Sequence, residues 1–202
     1  MASLGHVAVG MLAGRFLVDR ERSPPVVPMV VFSGLALLPD LDYVAVMLGW
    51  PDAGPCGHRG ATHSMIPPLV VTLLVAAIAP RMRLPRWKTA ALAGLTVASH
   101  VLLDAMTVSS RGMPLLWPIS FARFEMPWRP IPNAPCGLDF LSLAGLRVAS
   151  IELFQFLPLI VAALWPWPLS LLAPFTRVRI PPAAPGAARR LDMARELTRD
   201  AS

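Results

Sequence analysis

The sequence is poor in charged residues, which make up 15% of its 202 positions, whereas hydrophobic residues reach 55%. Soluble chains carry about a quarter charged residues, so this composition excludes an ordinary soluble domain. Acidic residues are scarcer than basic ones, with 12 Asp and Glu against 18 Lys and Arg. The N-terminus lacks both a basic stretch before its apolar residues and a small-residue cleavage site. We therefore expect it to be retained structure and not a removed signal peptide.

Apolar segments separated by short polar connections predict an all-α fold, a polytopic membrane helical bundle of four to five segments. The first segment is shorter than the ~20 residues of an ideal span, so it either crosses the membrane or dips into it. Within the second, Pro39 predicts that the helix ends or kinks near Leu38. The segments are 4–17, 26–48, 64–80, 89–108 and 149–172.

The domain organisation expected from this pattern is a membrane-embedded domain over residues 1–175 and a tail over 176–202. The tail is rich in Pro, Ala and Arg, which predicts a basic, mostly disordered cytoplasmic segment. Residues 109–147 are mixed in composition, with many prolines, and we expect them to fold over the mouth of the bundle.

The net charge of +6 does not point to nucleic acid, because the basic residues form no single clustered face. They lie in short groups between apolar segments, and thirteen of the eighteen Lys and Arg fall in 15–22, 81–88 and 177–202. The positive-inside rule places these groups in the cytoplasm. The expected partner is therefore the lipid bilayer, and the sequence does not settle an oligomeric state.

Seven ionisable residues lie inside or beside apolar segments, where an unpartnered charge is expensive to desolvate. At ~1.5 Å per residue, Asp40 lies ~21 Å along its helix, His100 ~18 Å and Asp104 ~24 Å, measured from the cytoplasmic ends. His6 and His63 stand at the opposite, extracytoplasmic ends of their segments. All therefore converge on one level toward that face. The seven are His6, Asp40, Asp42, His58, His63, His100 and Asp104.

The spacing of these residues suggests a His/carboxylate metal site. His100 and Asp104 share a helix face at i and i+4, so they can hold one ion, or the carboxylate can orient the imidazole; a structural hydrogen bond between helices is the alternative. Asp40 and Asp42 suit a metal ligand and a general base at a broken helix end, or else a helix cap.

The segment 58–64 adds His58 and His63 as candidate metal ligands and Arg59 as a planar fork for phosphate or carboxylate. We interpret Thr62 and Ser64 as caps of the helix that follows. A lone histidine such as His6 is more often interfacial than a ligand, and a hydrogen-bonded structural role is expected for Glu152. Cys56 and Cys136 fall in outer loops, where a disulfide is a hypothesis in an oxidising compartment.

Taken in order, Gly5-His6, Leu38-Pro39-Asp40-Leu41-Asp42, His58-Arg59-Gly60-Ala61-Thr62-His63-Ser64, Ser99-His100 with Asp104, and Leu116-Trp117-Pro118 resemble the inner-membrane-bound metal-dependent hydrolases, a family often described as LexA-binding. The resemblance extends to about residue 125. More distantly, the pattern is similar to zinc phospholipase C and P1-type nucleases. The likeness implies that His6, Asp42, His63, His100 and Asp104 bind metals or lie close to them.

We therefore predict a bacterial inner-membrane hydrolase with a one- or two-metal site that acts on a phosphoester or another lipid-linked or small-molecule substrate. Zinc is favoured, and manganese or iron would share the same ligands. Asp40 or Asp42 would act as base or ligand, and Arg59 would hold an anionic group. The alternatives are a non-catalytic ion-binding or regulatory membrane protein and an ion or proton transporter.

Overall fold

The computed structural model describes residues 3–18, 25–52, 54–55, 57–108, 111–135 and 137–165. Over these residues the chain is helical and has no β-strand, so the all-α prediction is confirmed for this part. The tail 176–202, Cys56 and Cys136 lie outside the described residues. The helices are α1 (Ser3–Leu17), α2 (Val26–Leu37), α3 (Leu41–Met47), α4 (Ile66–Ile78), α5 (Arg86–Ala105) and α6 (Leu143–Leu164), and short 3₁₀ turns lie at Leu38–Asp40, Ala61–His63 and Gly137–Leu141.

Two helical stretches are long and apolar enough to cross a membrane by length and composition, Val26–Met47 and Leu143–Leu164. The apolar helices α1 and α4 are shorter, and the first turn of α5 carries Arg86 and Lys88. The prediction of four to five spanning segments is therefore confirmed in part. The described residues are helical, and they include two candidate spans.

Prolines set two helix boundaries as expected. α2 ends at Leu37, and the 3₁₀ turn that follows contains Pro39, which confirms the break expected near Leu38. α4 accommodates Pro67 and Pro68 because they lie in its first turn, where the missing N–H groups have no helical partner.

The last helix differs from the prediction. α6 begins at Leu143 instead of residue 149, and the described helix ends at Leu164. The Ser142 hydroxyl accepts a hydrogen bond from the Gly145 N–H and caps the helix. Hydropathy missed this start because Arg147, exposed on the first turns, interrupts the apolar run.

The centre of the bundle is formed by α1 and α5. α1 contacts α2, α5 and α6, and α5 also contacts α2 and α4. Small and branched side chains such as Ala13, Ala93 and Val97 pack in the core, while many large apolar side chains of α2, α4 and α6 face outward. An apolar surface this extensive is typical of a protein that contacts lipid.

Two glycines let α1 approach α2 closely. A Cβ atom at Gly10 would lie 2.4 Å from the Cα of Ser33, and one at Gly14 would lie 2.5 Å from the backbone nitrogen of Met29. Gly10 and Gly14 are four residues apart on one face, the small-residue spacing that packs membrane helices backbone to backbone.

Residues 111–131 cover one end of the bundle, which we call the polar end because the candidate site lies beneath it. The Met65 N–H donates to the carbonyl of Leu115, and the Met126 N–H donates to the carbonyl of Ala105. Met113 is fully buried under this segment. The covering segment is thereby attached both to the start of α4 and to the end of α5.

Candidate metal centre

Four side chains from three parts of the chain meet at the polar end. Asp40 ends the 3₁₀ turn after α2, His63 ends the turn before α4, and His100 and Asp104 stand one turn apart on α5. Each offers one ligand atom, and these atoms all lie within 4.8 Å of one another. His63, His100 and Asp104 are fully buried, whereas the Asp40 side chain is 10% exposed. We call this group the four-residue cluster.

The distances within the cluster are those of groups that face a common point. The Nε2 atoms of His63 and His100 are 3.1 Å apart. Asp40 Oδ1 lies 3.4 Å from His100 Nε2 and 3.6 Å from His63 Nε2. Asp104 Oδ2 lies 3.6 Å from His63 Nε2. Two imidazoles and two carboxylates in this arrangement form a donor set that zinc, manganese or iron accepts.

The contact made by Nδ1 of each imidazole ring determines whether its Nε2 carries a proton or a lone pair. His100 Nδ1 lies 2.7 Å from the carbonyl oxygen of Ala36, which can only accept, so Nδ1 carries the proton. His63 Nδ1 lies 3.2 Å from a carboxylate oxygen of Asp42, which orients the neutral ring in the same way. Both Nε2 atoms then present lone pairs toward each other. Two lone pairs this close require a cation between them, either a proton or a metal ion.

The charges around the cluster lead to the same conclusion. Three carboxylates, from Asp40, Asp42 and Asp104, lie around the two imidazoles, and one guanidinium, that of Arg59, contacts Asp104. With neutral histidines, these groups carry two negative charges in excess. Asp40 Oδ1 and both oxygens of Asp104 are buried without a hydrogen-bond partner. Buried carboxylates are strongly penalised unless they are paired or coordinate a metal. A divalent cation fits both the donors and the missing charge.

His63, which lies outside the apolar helices, is the group whose protonation responds to this environment. Burial acts to lower the pKa of His63, but the carboxylates of Asp40 and Asp42 beside its ring outweigh burial and raise the pKa to about 9. At neutral pH the metal-free site therefore holds a proton where the geometry calls for a cation.

Asp42 lies behind His63, on the side of the ring away from the cluster. Its Oδ1 is 2.8 Å from His58 Nδ1. Its Oδ2 accepts hydrogen bonds from the backbone N–H of Arg59 and from the Thr62 hydroxyl, and it also faces His63 Nδ1. Both oxygens are thus occupied by protein donors. Asp42, His58 and His63 form a second group close enough to hold an ion, and it shares His63 with the first.

The caps expected at the start of α4 are replaced in part by this network. Ser64 accepts the N–H of Ile66, as a capping residue does. Thr62 instead donates its hydroxyl to Asp42 and lies 3.0 Å from His63 Nδ1. The prediction of Thr62 as a cap was wrong because α4 begins only at Ile66, and the Thr62 hydroxyl lies instead between Asp42 and the His63 ring.

His6 adjoins the cluster from α1. Its ring stacks on the His100 ring, with centroids 3.9 Å apart and planes 16° from parallel, and its Nε2 lies 3.5 Å from Asp104 Oδ1. It is fully buried, and among the described residues neither ring nitrogen has a partner within hydrogen-bond geometry. A buried imidazole is costly unless it is hydrogen-bonded or bound to a cation, so His6 fits a place beside a metal ion.

Arg59 holds an unusual backbone conformation beside the cluster. Its φ of 63° lies in the left-handed region, which is disfavoured for arginine. Its Nε is 3.2 Å from Asp104 Oδ2, and its carbonyl accepts a hydrogen bond from Arg123 of the covering segment. Strained residues of this kind are often found at functional sites.

Sequence reasoning did not find two of the groups that hold the site together. One is the Ala36 carbonyl that orients His100, and no side-chain pattern marks a backbone acceptor. The other is Arg123, which donates to the carbonyls of Arg59, Arg111 and Gly112. Glu152 lies outside the cluster and accepts the Leu4 N–H through Oε2, a structural contact between α6 and α1.

The fold and the site together define a helical membrane protein with a buried cluster of histidines and carboxylates suited to a metal ion. The chain matches the family described as YdjM inner membrane protein over residues 1–172, and it belongs to that family. No solved structure matches it significantly.

Two curated relatives come from Escherichia coli K12. Inner membrane protein YbcI is 37% identical over 172 residues, which cover 79% of this chain and 94% of that protein. Inner membrane protein YdjM is 31% identical over 185 residues, covering 82% and 89%. These names place the relatives in the inner membrane and assign them no activity. The resemblance to an inner-membrane family is confirmed, and the metal-dependent hydrolase description is consistent with it.

Proposed function

We propose that the protein is a membrane-bound metal-dependent hydrolase of the bacterial inner membrane. The single observation that supports this most strongly is the pair of Nε2 lone pairs 3.1 Å apart, flanked by two carboxylates. That arrangement is unfavourable in a site that holds no cation, and it is the donor set of a hydrolytic metal centre.

The ligands we propose are His63, His100, Asp104 and Asp40, with zinc favoured. A divalent cation bound there would activate water as a nucleophile and polarise the scissile group. Asp40, the cluster member with solvent exposure, has an alternative role: with the other three residues as ligands, it would take a proton from the incoming water. His6 stacks on His100 and lies beside Asp104, which makes it a candidate fifth ligand or a support for the other two.

Asp42 is proposed as a positioning residue. Its Oδ2 faces His63 Nδ1 and fixes the ring orientation, as carboxylates behind metal-bound histidines do. His58 extends this chain of hydrogen bonds from the other oxygen of Asp42. We therefore propose that Asp42 and His58 support His63 and do not coordinate the metal ion of the four-residue cluster.

Arg59 is proposed to bind the anionic part of the substrate. Its Nε lies 3.2 Å from Asp104 Oδ2, and a guanidinium has four further N–H donors with which it would hold an anion. A phosphoester fits this fork, because phosphate is recognised in the same planar, bidentate way as carboxylate. A substrate in or attached to the membrane fits the location of the site in an inner-membrane protein.

The topology we propose has four to five membrane segments, with the basic connections 81–88 and 177–202 in the cytoplasm and the site toward the extracytoplasmic face. Domain limits of 1–175 and 176–202 accompany this proposal. The family match through residue 172 agrees with the extent of the first domain.

A second candidate function is a non-catalytic ion site that stabilises the bundle. The observation in its favour is burial: three of the four ligand candidates are fully buried, and substrates need access. This candidate predicts bound metal without turnover, and unfolding when a ligand is replaced.

The deciding experiment is metal analysis of detergent-purified protein by mass spectrometry, paired with hydrolysis assays on phosphomonoesters, phosphodiesters and phospholipids. We expect about one metal ion per chain and its loss in His63→Ala, with Glu125→Gln, an exposed carboxylate in the covering segment, retaining metal. Turnover that disappears in Asp104→Asn supports the hydrolase. Undetectable metal, or hydrolysis unchanged in both site variants, refutes it.

A further inference from the structure

The end of the bundle opposite the polar end holds an apolar groove between α2 and α4. Its volume is about 270 Å³. Val31 and Leu35 form one wall, Val75 and Ile78 form the other, and Ala93 of α5 lies at its floor. Thr89 is the hydroxyl-bearing residue of its lining, and that hydroxyl donates to the carbonyl of Pro85.

The groove is open toward the outside of the bundle. Val31 is 54% exposed and Ile78 is 48% exposed, whereas Ala93 at the floor is 1% exposed. Along α2 the lining extends from Val27 to Leu35, a length of ~12 Å at the helical rise. In a membrane protein such a surface faces hydrocarbon, and its elongated shape fits a single acyl chain.

A basic turn borders the open end of this groove. Met82 and Leu84 line the groove, and the exposed Arg81 and Arg83 alternate with them in the turn between α4 and α5. Arg86 and Lys88 follow in the first turn of α5. No Asp or Glu occurs from residue 66 to 103 of the sequence.

The connection between α1 and α2 adjoins the same end of the groove. Val18 and Val27 line the groove on either side of it. Residues 19–24 lie outside the described part of the chain, and their composition is neutral, with Asp19 and Glu21 against Arg20 and Arg22.

We infer that this groove binds one acyl chain of an anionic phospholipid, whose headgroup lies against Arg81 and Arg83. The apolar lining selects a hydrocarbon chain, and the exposed Arg81, Arg83 and Arg86 beside its mouth select a headgroup with net negative charge over a zwitterionic one. The inference does not depend on the proposed hydrolase activity, because it concerns the opposite end of the bundle and none of the four-residue cluster.

The test is native mass spectrometry of the full chain after reconstitution in phosphatidylcholine mixed equally with phosphatidylglycerol, followed by progressive removal of lipid. We expect phosphatidylglycerol to be retained preferentially. The double variant Arg81→Gln/Arg83→Gln should lower that preference about fivefold or more, the size expected for removing basic residues near an anionic headgroup. The matched control Arg129→Gln/Arg147→Gln removes the same charge elsewhere and should keep it.

A second pair of variants tests the groove itself. Val31→Trp fills the groove from its exposed wall, while the control Val30→Trp changes a neighbour that is 65% exposed and does not line the groove. We expect Val31→Trp to lose the retained lipid and Val30→Trp to keep it, with all variants eluting as monodisperse protein. Equal lipid retention in the two tryptophan variants, or no preference for phosphatidylglycerol in the unchanged protein, would overturn the inference.

Discussion

The two ends of the bundle are built on the same two helices and yet have opposite properties. At the polar end, the C-terminal parts of α2 and α5 bring buried carboxylates and imidazoles together under a covering segment. At the other end, the N-terminal parts of the same helices line an open apolar groove beside exposed cations. The buried cluster at one end is rich in carboxylates, and the turn at the other end exposes Arg81, Arg83 and Arg86.

This difference shows how a short helical chain can separate two binding tasks. Buried carboxylates require a cation within the protein, because no water is available to solvate them. Exposed arginines require no partner within the protein, and they attract anions at the membrane surface instead. Close packing of α1 against α2 lies between the two ends, where Gly10 approaches Ser33 and Gly14 approaches Met29.

The largest effect is expected from disrupting that packing. Gly10→Val places side-chain atoms where the Ser33 backbone lies, because even a Cβ would be 2.4 Å from the Ser33 Cα. We expect a destabilisation of about 3 kcal/mol or more, seen as loss of monodisperse protein and of the thermal transition. The control is Gly34 of α2, whose Cβ would have no atom within 4 Å.

Gly34→Ala should be neutral or slightly stabilising, by ~0.5–1 kcal/mol, because alanine is the better helix former. Gly10→Ala should be destabilising. If the two alanine variants had the same thermal stability, close packing of α1 on α2 would not stabilise the bundle.

The next largest effect is on metal affinity, and it distinguishes Asp40 from Asp42. Asp40 faces the two Nε2 atoms, whereas Asp42 faces the Nδ1 side of His63. Asp42→Asn should weaken metal binding by about 10–100-fold, and Asp40→Asn should weaken it more. The measurement is metal affinity by competition with a chelator, with Asp139→Asn, an exposed aspartate, as the control. A larger loss in Asp42→Asn would instead place the metal in the second group, with Asp42 and His58 as ligands.

Much of this site was accessible from the sequence because buried ionisable residues are rare. His6, Asp40, His63, His100 and Asp104 stood out as costly residues in apolar segments, and helical rise alone predicted a common depth for them. Their contacts in the described structure agree with that convergence. The break after Leu38 was likewise predictable, since proline has a strong local effect on helices.

Other features depend on tertiary contacts that leave no local signal. The separation of Asp40 and Asp42 onto the two sides of His63 follows from the approach of the segment 58–64 to α3, and no spacing rule gives it. The start of α6 was misplaced because hydropathy weighs the exposed Arg147 more heavily than the Ser142 cap. The apolar groove could not be predicted from the sequence because its walls consist of the same residue types, such as valine and leucine, that face lipid elsewhere in the chain.

The smallest effect concerns pH at the polar end. His63 has its pKa raised to about 9 in the metal-free protein, so it is protonated at pH 7 and must lose that proton when its Nε2 binds a metal. Metal affinity should therefore rise about tenfold per pH unit as pH increases toward 9 and level off above it, with about one proton released per metal bound. Calorimetry in buffers of different ionisation enthalpy measures that proton directly. The groove gives the contrast because its lining contains no histidine, so phosphatidylglycerol retention should not change between about pH 6.5 and about pH 8.5. If metal affinity were also independent of pH over this interval, the metal would not displace a proton from His63. The assignment of His63 Nε2 as a ligand would then be wrong.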